Sequence, residues 1–300
     1  MDFKNITVAG SGVLGYQIAF QTAFRGFNVT VYDINDEVLD KAKEKFSELS
    51  KAYKRDIHAT DDQLENTFKN LSYESKLADA VKDADLVIEA IPENLEIKRA
   101  FYENLSQVAP EKTIFTTNSS TMLPSQFSEF TGRPEKFLAL HFANQIWKFN
   151  TAEIMGHSST DKAVFESVVE FAKAIGMLAL PLHKEQPGYI LNSLLVPFLM
   201  ASLDLWSKQV ADPEIVDKTW MKATGSPMGP FAILDIVGIS TVYNIAKMNA
   251  EKTKDPALER VVLLLKTEFI DKGILGLQSG KGFYNYPNPA YHSENFLKSI

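Results

Sequence analysis

Two residues twelve apart in "LALHFANQIWKFNTAEIMG" (138–156) could do chemistry together. His141 ends one apolar run, and Glu153 stands just before another. An imidazole titrates near neutral pH, so it can take a proton from one group and hand it back to another. A carboxylate on its second nitrogen would fix the tautomer and stabilise the charged ring. A core histidine beside an unrelated surface acid fits the same stretch, and the stretch by itself does not decide.

Near the start of the chain, "GSGVLG" sets Gly10, Gly12 and Gly15 at the spacing G-x-G-x-x-G, with Val13 and Leu14 between the last two. The first glycine allows a tight turn, the second lets a pyrophosphate approach the backbone, and the third lets a helix pack on the preceding strand. Alone the pattern is also that of a glycine-rich turn with no ligand. Here it follows a strand-like run (4–10) and opens a helical pattern ending near Gly26. The next strand ends in Asp33, about 20 residues on, where an acid would hold a ribose hydroxyl. Asp33 would repel a 2′-phosphate, and neither Ile34 nor Asn35 offers it a cation, so the expected cofactor is NAD.

These groups need a scaffold. Strand, helix and strand within some thirty residues make a βαβ unit with a right-handed crossover. Residues 36–82 read as charged amphipathic helices and a short further piece. Strands are expected at 84–92, 113–120, 137–142, 151–156 and 177–182, with helices over 93–109 and 161–176. The alternation predicts a doubly wound, Rossmann-type α/β sheet over residues 1–186. Beyond "KEQPGY" no convincing strand follows, and residues 187–300 are expected to form an all-helical second domain. The apolar stretch 189–206 carries Asn192, Ser193, Pro197 and Asp204 and reads as a buried helix rather than a membrane span.

Composition narrows the class. The 300 residues are 45% hydrophobic and 23% charged, as in a globular protein with a substantial core. A net charge of −7 argues against nucleic acid or an anionic membrane as the main partner. With no cysteine there is no disulfide, thiolate nucleophile or cysteine-ligated metal, and no metal site is expected. "MDFKNITVAG" lacks the features of a signal peptide, so a cytoplasmic location is expected.

Along almost its whole length the chain resembles the L-3-hydroxyacyl-CoA dehydrogenases, including 3-hydroxybutyryl-CoA dehydrogenase. The resemblance is carried by "VAGSGVLG", "DLVIEAIPENLEIKRAFYENL", "TTNSST", "LHFAN…AEIMG", "PGYILNSLLVPFL", "GSPMGPFAILDIVG" and "SGKGFYNYP". It implies NAD-dependent oxidation of an L-3-hydroxyacyl-CoA to the 3-oxoacyl-CoA, or the reverse, within fatty acid metabolism. His141 and Glu153 fall on the family's catalytic pair, Ser120 on the serine of its "NTSS" motif, and Asn192 on the asparagine of its "GF-x-x-N-R" motif. Ser120 and Asn192 would then donate hydrogen bonds to substrate oxygens. Cofactor contacts are implied at Ala90, Glu93, Lys98 and Asn118, besides the glycine loop and Asp33. Substrate contacts are implied at Ser120, Asn144 and Asn192.

The family binds CoA partly through the helices after its second strand, which makes Lys51, Lys54 and Arg55 of "KAYKR" candidates for phosphate or adenine contacts. A solvated charged face fits them equally well. The helical domain resembles the family's dimerisation domain, so a homodimer is expected, with a short-chain acyl-CoA as the small-molecule substrate. Four departures stand out: Gln145 in place of a proline, Ala143 in place of an aromatic, Ser193 in place of an arginine, and Leu14 in place of a methionine. The stretch "QIWKFN" also differs, placing Trp147 and Lys148 near the expected pocket. An alternative within the same superfamily is a dehydrogenase of a free hydroxy acid or sugar acid, of the L-gulonate type.

Overall fold

The computed structural model describes residues 3–298, which fall into two compact units dividing between Ile190 and Leu191. The first unit begins with β1 (Asn5–Ala9), α1 (Gly15–Phe24), β2 (Asn28–Tyr32), α2 (Asp36–Ile57), α3 (Asp61–Lys69), β3 (Leu71–Glu74) and α4 (Leu77–Val81). It continues with β4 (Leu86–Glu89), α5 (Leu95–Val108), β5 (Ile114–Thr117), β6 (Phe137–Phe142), β7 (Thr151–Met155), α6 (Lys162–Ala174) and β8 (Leu178–Leu182). One sheet holds all eight strands in the order β3-β2-β1-β4-β5-β6-β7-β8.

Every neighbouring pair runs parallel except β6 and β7. Strands β4, β5 and β6 are buried along their whole length, as they must be when helices cover both faces. The strand order reverses between β1 and β4, so the carboxyl ends around Gly10, Ala90 and Asn118 flank the crevice where open α/β sheets take ligands. Helix α2 buries Leu39, Ala42, Phe46, Leu49 and Tyr53, one stripe at helical spacing, and Asn35 caps its start through Val38 N. Thr60 and Gln63 form a capping box on α3.

The strand β3 was not among the expected elements. It lies in the stretch read as helices and a short further piece, and its four residues on the sheet edge, none of them buried, are too few to show a period of two. The unit boundary differs from the expected one by Pro187–Ile190. This segment stays with the sheet because Tyr189 OH donates to Ser119 O and Ile190 N to Glu153.

The second unit is helical: α7 (Leu191–Ser207), α8 (Pro213–Thr224), α9 (Pro230–Val237), α10 (Ile239–Thr253) and α11 (Pro256–Glu268). Leu199, Leu203, Met221, Phe231, Leu234 and Leu265 centre its core. Helix α7 is not buried throughout, since Leu191, Leu194 and Leu205 are exposed. Two buried aspartates organise the unit. Asp217 accepts from the first amides of α9, Phe231 N and Ala232 N, while Asp235 accepts from Phe283 N and Tyr284 N. A Cβ on Gly282 would sit 1.9 Å from Asp235 Oδ1, which is why "SGKGFY" needs glycine there.

Candidate active site

His141 and Glu153 are cross-strand partners. The antiparallel register of β6 and β7 sets them directly opposite, so both side chains leave the same face of the sheet. His141 Nδ1 lies 3.1 Å from Glu153 Oε2, and both residues are buried. Glu153 Oε1 accepts the Ile190 amide at 2.8 Å, which pins the carboxylate. The carboxylate accepts the Nδ1 proton, leaving the Nε2 lone pair toward Ser120 Oγ at 3.1 Å. A neutral imidazole held this way can receive a proton at Nε2 and keep the resulting charge beside a carboxylate.

Ser120 is placed by an acid the resemblance assigned to the cofactor. Glu93 Oε1 accepts from Ser119 Oγ (2.6 Å), Ser120 N (3.1 Å), Thr121 N (3.0 Å) and Thr121 Oγ1 (2.8 Å). Partial burial pushes the Glu93 carboxyl up, but the Ser119 hydroxyl, the Lys98 charge and Thr121 outweigh it and hold it below the ordinary range. Behind it, Lys98 is fully buried, its Nζ 2.6 Å from Glu89 Oε1 and 3.3 Å from Glu93 Oε2. Glu89 also accepts from Tyr102 OH, Thr117 Oγ1 and Ile91 N.

Neither Glu89 nor Tyr102 was singled out from sequence, although an acid inside the apolar run "LVIEAIP" with a lysine nine residues on was the available signal. Asn118 ties three strand ends together, its N–H donating to Glu89 O and its Oδ1 accepting from Phe142 N.

The glycine loop has the backbone a dinucleotide needs. Gly10 takes φ +97, and a Cβ there would lie 2.5 Å from Ala90 O; one on Gly15 would lie 1.8 Å from Gly10 O. Gly12 meets nothing within 4 Å, so its open side is free for a phosphate group at the start of α1. Asp33 Oδ2 accepts from Ser11 N and Oγ, and Oδ1 from Ile34 N, so its carboxylate is fixed at the end of β2 with lone pairs to spare. Val13 and Leu14 stand between the glycines, with Val13 exposed. These residues fit NAD.

The remaining candidates divide. Asn144 Oδ1 accepts from Gln17 Nε2 and Gln145 N, which anchors the β6–β7 loop on α1. Gln145 adopts φ +59, a conformation closed to proline, so its replacement of the expected proline matches a different turn. Trp147 packs on Tyr53 and donates to Asp56 Oδ2, on the side of α2. On α2 itself Lys51 pairs with Glu48, Lys54 with Asp61 and Arg55 with Asp56, all three cations exposed. Asn192 belongs to the first turn of α7 in the second unit. The first unit thus brings together His141, Glu153, Ser120, Glu93, Lys98 and Asn118.

A parallel sheet with a glycine turn and a fixed acid, and a histidine–carboxylate pair at the same edge, define a dinucleotide-dependent oxidoreductase. A family profile described as "3-hydroxyacyl-CoA dehydrogenase, NAD binding domain" matches residues 5–186, and one described as "3-hydroxyacyl-CoA dehydrogenase, C-terminal domain" matches 188–286. The chain belongs to the 3-hydroxyacyl-CoA dehydrogenase family, whose cofactor is NAD.

Its similarity to the mitochondrial hydroxyacyl-coenzyme A dehydrogenase of Homo sapiens is 33% identity over 295 residues, covering 94% of this chain and 91% of that protein. To a probable 3-hydroxybutyryl-CoA dehydrogenase of Bacillus subtilis it is 30% over 289 residues, covering 95% and 98%. A solved structure described as "Substrate-directed dual catalysis of dicarbonyl compounds by diketoreductase" superimposes with a TM-score of 0.90 at 53% identity, covering 95% of this chain and all of that one.

Proposed function

We propose that His141 carries the proton in the interconversion of an L-3-hydroxyacyl-CoA and its 3-oxoacyl-CoA. The observation that carries this reading is the imidazole held at Nδ1 by Glu153 and facing Ser120 Oγ with Nε2. Bound NAD supplies the hydride acceptor. His141 takes the hydroxyl proton as the carbinol carbon gives up hydride, and returns it in the reduction. Glu153 orients the ring and stabilises its charged form. Ser120 donates to the substrate oxygen where charge develops.

A second reading has its own support. The likeness at 53% identity is to a diketoreductase acting on dicarbonyl compounds, and the three cations of "KAYKR" are each matched by an acid of this chain. A substrate with a second carbonyl in place of the thioester would use the same base and need no phosphate clamp. The deciding measurement is NADH oxidation with acetoacetyl-CoA, longer 3-oxoacyl-CoAs and dicarbonyl esters, repeated at rising salt. For the CoA reading we expect acetoacetyl-CoA to have the highest kcat/KM, with KM rising as salt screens Lys51, Lys54 and Arg55. Dicarbonyl esters outrunning every thioester would establish the second reading.

The homodimer reading rests on an apolar cleft of about 500 Å³ between α7 and α8, lined by Phe198, Leu205, Val210, Ile215 and Trp220. Val210 is 63% and Ile215 50% exposed, so large apolar side chains stand open to solvent at the mouth of this cleft. Light scattering should give about twice the 33.6 kDa chain mass, falling to one chain for Ile215→Glu. A wild-type protein of single-chain mass defeats this reading.

A further inference from the structure

Tyr189 lies face to face with the base. Its ring centroid is 4.3 Å from that of His141, with the planes within 15° of parallel. The residue is buried, and its backbone sits in the left-handed region at φ +55, which a bulky aromatic seldom adopts. Folds keep such a conformation where the surroundings over-determine it, and where function uses the result. Here the surroundings are specific. Tyr189 N donates to Gln186 O at 2.9 Å and Tyr189 OH to Ser119 O at 2.7 Å, while Ile190 N donates to Glu153 Oε1 at 2.8 Å. One dipeptide therefore covers the face of His141, holds the carbonyl next to Ser120, and fixes the acid on Nδ1. Burial, with Glu93 and Glu153 nearby, holds the phenol well above its usual titration range, so the hydroxyl stays a donor.

We propose that Tyr189 is a positioning residue for the reaction, its ring stabilising the imidazolium form of His141. The inference rests on the role of His141 as base. In oxidation the substrate O–H bond breaks and an N–H bond forms at Nε2. The carbinol C–H electron pair leaves as hydride for NAD, and the C=O bond forms. The proton's charge then resides on a ring whose face lies against the π-cloud of Tyr189, well within the range of cation–π attraction. Neutral imidazole gains only stacking from the same contact. The contact is thus stronger after proton transfer than before, as an interaction that accelerates the oxidation must be.

The test uses the full-length protein and single-turnover oxidation of L-3-hydroxybutyryl-CoA. Tyr189→Leu should lower the rate about tenfold, while Tyr189→Phe, which keeps the ring, should stay within about threefold of wild type. KM and NADH affinity should be retained in both variants. Reduction started with His141 already protonated, by mixing at a pH low enough to load the ring, should not fall in Tyr189→Leu, whereas general loosening of the site would slow both directions. Phenylalanine, 4-fluorophenylalanine and 3,4,5-trifluorophenylalanine at position 189 keep the shape while draining the ring face, so the series stands even if the leucine variant fails to fold. Oxidation should drop stepwise, to about a fifth of the phenylalanine rate for the trifluoro ring. A flat fluorine series, or equal losses in Tyr189→Phe and Tyr189→Leu, overturns the inference. A wild-type rate for His141→Gln would defeat the reading of the base itself, so the two failures are distinguishable.

Discussion

His141→Gln should leave a folded protein that binds NADH nearly as wild type does and turns over about a thousandfold more slowly or worse. Glutamine can hydrogen-bond toward Glu153 and Ser120, but its amide cannot accept a proton as imidazole does. The loss should appear in kcat, because the proton is transferred only in the reacting complex and the glycine loop with Asp33 lies on other strands of the sheet. Stopped-flow turnover beside fluorescence titration of NADH separates the two quantities. Turnover at the wild-type rate would remove His141 from the chemistry and reopen the reading of a core histidine.

How far the site could be read from sequence follows from how local each feature is. The glycine loop is legible because most of its requirements are short-range: the positive φ at Gly10 and the packing of Gly15 on Gly10 O involve neighbours in sequence, and Asp33 ends the very next strand. The partnership of His141 with Glu153 was not legible from its own stretch. It depends on β7 turning back against β6, and a twelve-residue spacing carries no sign of strand direction. Only the resemblance, with its ordered motifs, chose between base and core residue.

The four-residue β3 escaped for want of length, and Tyr189 escaped because its contacts span up to 70 residues of sequence. Lys51, Lys54 and Arg55 read from sequence equally as a phosphate site and as a solvated charged face, because a run of cations is visible there and the pairing of its members is not. Asp61, the partner of Lys54, lies across a helix break and becomes its neighbour only when α2 and α3 fold.

Lys98 shows the same limit, and its replacement has the second large expected effect. The resemblance placed it at the cofactor. In the structure its ammonium is 1% exposed, between the carboxylate of Glu89, which is wholly buried, and that of Glu93. Lys98→Met removes the counter-charge and leaves Glu89 with neutral donors alone, a change that costs about 3–5 kcal/mol when one partner of a buried pair is lost. For a unit of this size that corresponds to a fall of roughly 10 °C in the melting temperature.

Glu93 would at the same time lose the charge that helps keep it ionised, and with it part of its hold on Ser119, Ser120 and Thr121, so kcat should fall as well. The double variant Glu89→Gln/Lys98→Met leaves no fully buried charge unpaired, with Glu93 partly exposed and held by its hydroxyl and amide donors, and should recover most of the melting temperature by calorimetry. If the lysine serves the sheet alone, the folded double variant binds NADH as the wild type does. If it also touches NAD, stability returns while NADH affinity is weakened. A single Lys98→Met variant that melts with the wild type would show instead that the buried pair contributes nothing to the fold.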